Sequence, residues 1–394
     1  MNGGCSQPTR SHVSEGVRVA LVHYWLLGSR GGEKVLEAIC RLLPQADIFT
    51  LFYDPERVSP LIRSHHVQAS FLNPLKRAYR GLLPFMPMAL ESFDLRSYDL
   101  VISSESGPAK GVITSSHTRH ICYCHTPMRY LWELYPAYLN EFGGSAIRKV
   151  LMAPVANYLR LWDVASAARV DAFVANSWNV RKRIWKTYRR RSRVVCPPVA
   201  VDTFFNKPAE DYFLMVAEMV AYKQLDYAVR TFARNGRRLK IVGQGPEFGK
   251  LQRAAGAGKI EFCGRVNDAE LRELYARSTA LIVPGEEDFG ITTVEALASG
   301  KPVIALGRGG SVEILKDMCG ILYDDASEAC LDEALRLFDS AQSRFNPLEL
   351  GARAADFSEG EFAGRFRAVL ARGERPAPAL VAPRRIYSIF TNRG

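Results

Sequence analysis

EEDFGITTVEALASGKP, residues 286–302, sets two glutamates eight positions apart. Glu287 falls in a loop, and Glu295 falls inside a stretch that reads as helix. Between them Gly290, Ile291 and Thr292 open that helix with little bulk and free backbone N–H groups. Such a start favours an anion, because unpaired amides and the helix dipole both attract negative charge. A carboxylate would repel the same anion, so neither glutamate is expected to touch it. Carboxylates do accept hydrogen bonds from hydroxyl groups. A ligand made of a sugar, a diphosphate and a ribose meets these demands together: phosphates at the helix start, the sugar at Glu287, the ribose at Glu295. A nucleotide-sugar fits that description. The competing reading of the same spacing is a capping acid at 287 and a salt-bridged surface acid at 295.

Working outward, the stretch belongs to a regular alternation. DYFLMVA (211–217), RLKIVG (238–243), KIEFCG (259–264), TALIVPG (279–285) and KPVIALG (301–307) are short apolar runs typical of buried parallel strands. Helices are expected to begin near Lys223, Pro246, Asp268, Gly290 and Ser311, and most strands run into a glycine-containing turn. The first half repeats the scheme with VRVALVHYW (17–25), ADIFTLF (46–52), YDLVISS (98–104), RHICYCH (119–125), DAFVANS (171–177) and SRVVCPP (192–198). Alternating strands and helices predict α/β domains with parallel sheets, whose ligands sit at the carboxyl ends of the strands. CPPVAVDTFFNKP (196–208) reads as the linker. Helices are expected near 328–341 and 346–371, followed by a basic tail of unassigned role.

The chain has 394 residues, too many for one ordinary core. No apolar run approaches the roughly 20 residues of a spanning helix, and no signal peptide is visible at the N-terminus. The cysteines do not pair into a framework and read as buried reduced thiols. Charge is uneven. Residues 1–205 hold 26 basic against 15 acidic side chains, whereas residues 206–394 hold 26 of each. A basic half on a neutral one points to an anionic partner for the first half, or to solvated arginines alone.

EEDFGITTVEALASGKPVIALGRGGSVEIL resembles the two-glutamate signature of retaining glycosyltransferases of the GT-B fold, in the large family 4. IVGQGPEFGKLQ and FCGRVNDAELRELYARS precede it in order, and GSRGGEKVLEAI resembles the glycine-rich loop of the first half. ICYCHTPMRYLWELY resembles a segment of bacterial GDP-mannose-dependent mannosyltransferases of exopolysaccharide and O-antigen assembly. FVANSWNVRKRI and VVCPPVAVDTF fit as well, so the likeness covers about residues 17–370. It implies two Rossmann-like domains facing a central cleft: 1–205 for the acceptor, 206–356 for the nucleotide-sugar, and a 357–394 helix and tail packing back on the first.

Carried over by position, the resemblance implies these roles. Gly31 and Gly32 let the backbone approach donor phosphates or acceptor. Lys223 neutralises the diphosphate. His125 lines the cleft near the transferred sugar, Arg129 assists with phosphate or acceptor, and Val266 lies near the nucleobase. Glu287 orients the sugar, Gly290, Ile291 and Thr292 meet the phosphates, and Glu295 meets the ribose. For each, an ordinary structural role competes: a βα turn for the glycines, a solvated lysine, a structural strand-end histidine. One position departs from the pattern. An arginine is usual about five residues before the phosphate lysine, and here AEMVAYK places Glu218 there. Either Arg129 or Arg308 takes over its phosphate contact, or Glu218 reads a donor hydroxyl, or activity is lost.

The implied reaction is a retaining transfer of mannose from GDP-mannose to a lipid-diphosphate-linked oligosaccharide, by same-face attack. No Asp-x-Asp motif is evident and no obligatory metal is expected. RKRIWKTYRRRSR (181–193) and NPLKRAYRGLLPFMPMALESF (73–93) mix cations with apolar side chains, which suits an anionic membrane surface better than nucleic acid. The expected location is cytoplasmic, peripheral on the inner face of a bacterial membrane. The alternatives are another nucleotide-hexose donor, a nucleotide-sugar epimerase or phosphorylase, and a non-catalytic nucleotide- or glycan-binding scaffold.

Overall fold

The computed structural model describes residues 16–28, 30–136, 146–316 and 319–371. Cys5 and the basic tail lie outside the described residues. Thirteen strands are described: β1 Val19–His23, β2 Asp47–Thr50, β3 Val67–Ala69, β4 Leu100–Glu105, β5 Arg119–Cys124, β6 Ala172–Ala175 and β7 Ser192–Val194 in one sheet; β8 Phe213–Val216, β9 Leu239–Val242, β10 Ile260–Gly264, β11 Leu281–Val283, β12 Val303–Leu306 and β13 Gly320–Tyr323 in the other. Their spatial orders are 3-2-1-4-5-6-7 and 10-9-8-11-12-13, and the pairings are parallel. Both are doubly wound, with the order reversing beside β1 and β8. That reversal opens a crevice at the carboxyl ends of the strands. Edge strands β3 and β13 were not anticipated. They are short, and β3 carries no fully buried side chain to mark it in the sequence.

The helices that matter are α1 Gly31–Leu42, α2 Met86–Glu91, α3 Ala146–Ala168, α4 Trp178–Tyr188, α5 Leu225–Asn235, α6 Phe248–Ala255, α7 Asp268–Arg277, α8 Ile291–Ala298, α9 Glu328–Ala341, α10 Pro347–Ala355 and α11 Glu359–Ala371. Local chemistry sets several starts. Ser177, Asn267 and Ser327 accept hydrogen bonds from the amides of Val180, Glu270 and Cys330 at 3.0, 2.9 and 3.2 Å. Amphipathic spacing on α1 buries Val35, Leu36, Ile39 and Cys40 against the first sheet. On the other face of that sheet Val22, Phe49, Leu90 and Val101 form a separate cluster.

The segment expected as one helix at 346–371 is two. Between α10 and α11 the chain crosses between domains. The amide of Val199 in the linker donates to the carbonyl of Phe357 at 3.0 Å, so the outgoing and returning strands of the connection lie side by side. Beyond the crossing, Phe362, Phe366 and Val369 enter the first domain's core with Leu21, Ile39, Ile102 and Tyr123. The two α11 phenylalanines stack at 5.4 Å.

The 73–93 segment is a 3₁₀ run, Asn73–Phe85, leading into α2. Met86 is buried, and Leu82 and Leu83 are half-buried against the cluster beneath. Only part of LLPFMPM faces out, through Phe85 and Met88, which lowers the apolar area expected there. Among the described residues no helix is long and apolar enough to cross a membrane.

Candidate functional site

The crevice ends of both sheets face each other, and the β11–α8 loop forms one wall. Gly290 caps α8 with φ 105°, a conformation that a side chain would strain. The following amides of Ile291 and Thr292 have no intrahelical carbonyl to bind. Two hydroxyls near helix starts, Thr293 and Ser311, are buried with no hydrogen-bond partner among the described residues. α8 is buried on most sides, which explains its nearly uniform apolar sequence around Glu295.

Glu287 is ion-paired with Lys223, which ends the 3₁₀ turn Ala221–Lys223 after β8. Burial works against the Lys223 ammonium, but Glu287 and its neighbours outweigh that, and its pKa lies above the usual lysine value. The Tyr222 ring sits 5.7 Å from the Lys223 ammonium and 5.7 Å from the Arg129 guanidinium. Glu295 is 5% exposed. Its carboxylate accepts from the Tyr275 hydroxyl at 3.0 Å and from Lys34 of α1 at 3.4 Å. Burial raises its pKa, with Lys34 and Tyr275 opposing.

From the first domain, Gly31 begins α1 directly against α8: a β-carbon there would lie 2.8 Å from the Ile291 side chain. At Gly32 one would collide with the Tyr24 hydroxyl. His125 directly follows β5, and its Nε2 is 2.9 Å from the Ser104 hydroxyl. Burial and the neighbouring His23 push its pKa down to about 3, so the imidazole is neutral at ordinary pH. His23 itself is fully buried, and neither ring nitrogen has a hydrogen-bond partner among the described residues.

Charges hold the two walls together. Arg183 of α4 reaches Glu286 at 2.6 Å and also pairs with Asp288, and Arg129 reaches Asp288 at 3.2 Å. Glu313 of the second domain accepts the first amides of α4, from Trp178 at 2.7 Å and Asn179 at 2.6 Å. Arg183 is thus part of an interdomain cluster rather than a solvated basic face, and Tyr188 of the same stretch is buried. Trp185 of that helix is half exposed.

The structure thus brings Lys223 to Glu287, Gly31 to Ile291, Lys34 to Glu295 and Arg129 to the Glu287 loop. His125 contacts residues of its own sheet, and Val266 is half-buried in the second domain's cluster before α7. Arg308 is paired with Asp325 at 2.9 Å. Glu218 is paired instead with Arg30, from the glycine-rich loop opposite, at 3.4 Å. Lys34, Tyr222, Tyr275, Arg183 and Glu313 were not singled out from the sequence. Their partners lie up to 261 positions away, and no local pattern marks them.

Residues 29–203 match the family described as Glycosyltransferase Family 4, and residues 210–340 match Glycosyl transferases group 1. Over 166 residues the chain is 31% identical to the GDP-mannose-dependent alpha-mannosyltransferase of Mycolicibacterium smegmatis, covering 40% of this chain and 43% of that one. Over 256 residues it is 27% identical to the O-antigen chain mannosyltransferase RfbU of Salmonella typhimurium, covering 61% and 69%. The chain spans between 30% and 55% of the length of the first curated relatives it matches. The solved structure of Anabaena HepE in complex with UDP-glucose superimposes with a TM-score of 0.67 over 90% of this chain and 99% of that one, at 15% identity, a likeness of fold alone. With two facing doubly wound sheets and a family match in each half, the chain has the GT-B fold of the family 4 and group 1 glycosyltransferases.

Proposed function

We propose that this protein is a retaining glycosyltransferase that moves mannose from GDP-mannose to a lipid-diphosphate-linked glycan at the inner face of a bacterial membrane. The observation that carries the reading is the pairing of Lys223 with Glu287 beside the open amides of α8. A diphosphate seated at those amides has an ammonium next to it, already held in place by a carboxylate. Mannose as the sugar is supported by the mannosyltransferase relatives.

In the reaction the acceptor oxygen bonds to the anomeric carbon of the sugar. The bond from that carbon to the phosphate oxygen breaks, and its electron pair leaves with the nucleoside diphosphate. The leaving phosphate takes the acceptor's proton, which puts departure and attack on the same face. Lys223 and the α8 amides stabilise the negative charge that grows on the leaving group. His125, being neutral, offers a hydrogen bond to the sugar without a competing charge. Glu287 accepts from sugar hydroxyls with the carboxylate oxygen that Lys223 leaves free. Glu295 takes the ribose hydroxyls when Lys34 moves aside. Lys34 is half exposed and 3.4 Å away, and the ribose hydroxyls replace its hydrogen bond to the buried carboxylate.

Isothermal titration with GDP, UDP and ADP, wild type beside Glu295→Ala, tests the donor. Tight GDP binding that the variant loses is the expected result, followed by turnover of GDP-mannose on lipid-linked acceptors. A preference for UDP would overturn mannose as the sugar. No nucleotide binding at all would overturn the enzyme and leave the scaffold reading, for which Glu218 is the support.

A further inference from the structure

Two loops of the second domain meet at the crevice. Glu218 and Lys223 follow β8, and the loop into α8 follows the neighbouring β11. The loops touch at Gly285, where a β-carbon would lie 2.5 Å from the Lys223 carbonyl oxygen. The proposed diphosphate seat at the α8 amides lies in this corner. Each phosphate brings negative charge, and more collects there as the sugar leaves. The corner's own positive charge is thin. Lys223 is paired with Glu287, and Glu218 adds a second carboxylate.

The other cations around the crevice are not equally available. Arg308 is turned to Asp325 and to the Asp324 carbonyl, beyond β13. Arg129 and Arg183 are largely buried and are held by Asp288. Lys34 holds Glu295, a buried carboxylate that needs a partner. Arg30 differs from all of these. Its side chain is 61% exposed, and its partner Glu218, 40% exposed, can turn to water when released. The hydrogen bond to Glu218, at 3.4 Å, uses Nη1 of the guanidinium. The rest of that planar fork suits phosphate oxygens.

The backbone of Arg30 is fixed. Its amide donates to the buried Glu33 carboxylate at 3.0 Å, and its carbonyl accepts from the Lys34 amide at 3.1 Å. Gly31, the next residue, packs on Ile291, the first residue of α8. The loop thus carries Arg30 to the anion-binding end of α8, and only the side chain has to move.

We propose that Arg30 is the second cation of the diphosphate seat, supplied by the opposite domain and oriented there by Glu218. The assignment deepens the glycosyltransferase reading and rests on it. It replaces the expectation that Arg129 or Arg308 makes up for the acid at position 218. It also divides the charge between the domains. In an open crevice a diphosphate meets the Glu218 carboxylate, which repels it. Closure brings Arg30 against both. Nucleotide affinity in this chain is thereby tied to closure.

The test is calorimetric titration of the full chain with GDP and UDP, carrying the tighter of the two through a series of variants. Arg30→Ala should weaken binding at least tenfold with an unchanged melting temperature, since the pair is exposed. Arg336→Ala, on α9, is the unaffected control. In the Arg30→Ala background Glu218 is a bare repelling charge, so adding Glu218→Gln should regain part of the loss. Adding Glu218→Arg instead, which puts the cation on the second domain, should regain most of it. An Arg30→Ala protein with wild-type affinity overturns the proposal. So do double variants no tighter than Arg30→Ala, the result expected if this arginine only ties the domains together. A wild type that binds neither nucleotide sinks the glycosyltransferase reading and this assignment with it. Binding that ignores position 30 sinks the assignment alone.

Discussion

Replacing Gly31 by alanine is expected to damage transfer without damaging the fold. The added methyl would lie 2.8 Å from Cδ1 of Ile291, about 0.6 Å inside the 3.4 Å where ordinary contact begins. The neighbour is the far end of a side chain that can turn away, so the cost falls at the low end for overpacking, about 1 kcal/mol. Here the clash is between α1 of one domain and α8 of the other, so it acts on closure rather than on either core. The closed population, and with it kcat/KM, should fall about 5-fold. Thermal stability should hold or rise slightly, because alanine is up to about 1 kcal/mol better than glycine in a helix. The assay is steady-state transfer from the proposed donor, GDP-mannose, with melting curves run beside it. Ile291→Val removes Cδ1 and should restore most of the loss in the double variant. A Gly31→Ala protein with wild-type kcat/KM would refute the reasoning, as would a double variant no better than the single one.

Three further outcomes are expected. Lys110 is fully buried between Glu105, at 3.0 Å, and Asp163, so Lys110→Met strands two carboxylates and should cost about 3–5 kcal/mol in denaturant unfolding; an unchanged midpoint would show the pairs to be worthless. The pH dependence has two opposed windows. Burial, opposed by Lys110, lifts Glu105 to about 7, so the folded state keeps a proton that the unfolded chain has lost, and this stability declines from about pH 4.5 to 7. Burial presses His120 down to about 3, so its contribution is present above about pH 6.5 and is lost as pH falls toward 3. Glu105→Gln should flatten the first window and His120→Asn the second in denaturation series across pH. Glu313→Ala uncaps α4 from the opposite domain and should loosen closure by about 2 kcal/mol, seen as a larger radius of gyration by small-angle scattering; an unchanged radius would place closure elsewhere.

The central strands were legible because parallel strands buried on both faces read as unbroken apolar runs. Val19–His23 and Leu281–Val283 are buried at every position. The edges were not, since β3 has only partial burial to shape its sequence. The α8 start was legible through Gly290 and the two glutamates. What held those glutamates was not. Lys34 reaches Glu295 from 261 positions away, and Arg183 reaches Asp288 from 105. Such pairs are chosen by the docking of two domains, which no local spacing encodes. The single helix drawn over 346–371 failed for a related reason. Its two halves bury their apolar faces in different domains, so the chain breaks at 356–358 to reach the second.

That break has a consequence during synthesis. The first domain's sheet is complete by Val194, yet Phe362 and Phe366, at 2% and 0% exposure, belong to its core. Each such side chain contributes about 1.5–3 kcal/mol by burial. On a ribosome adding about 5–20 residues per second, they arrive on the order of ten seconds or more after β7. In that interval the β8–β13 sheet emerges with its own core self-contained. The domain made first is therefore the domain finished last, and a nascent chain stalled before residue 359 displays the vacant α11 seat as an apolar surface that chaperones can recognise.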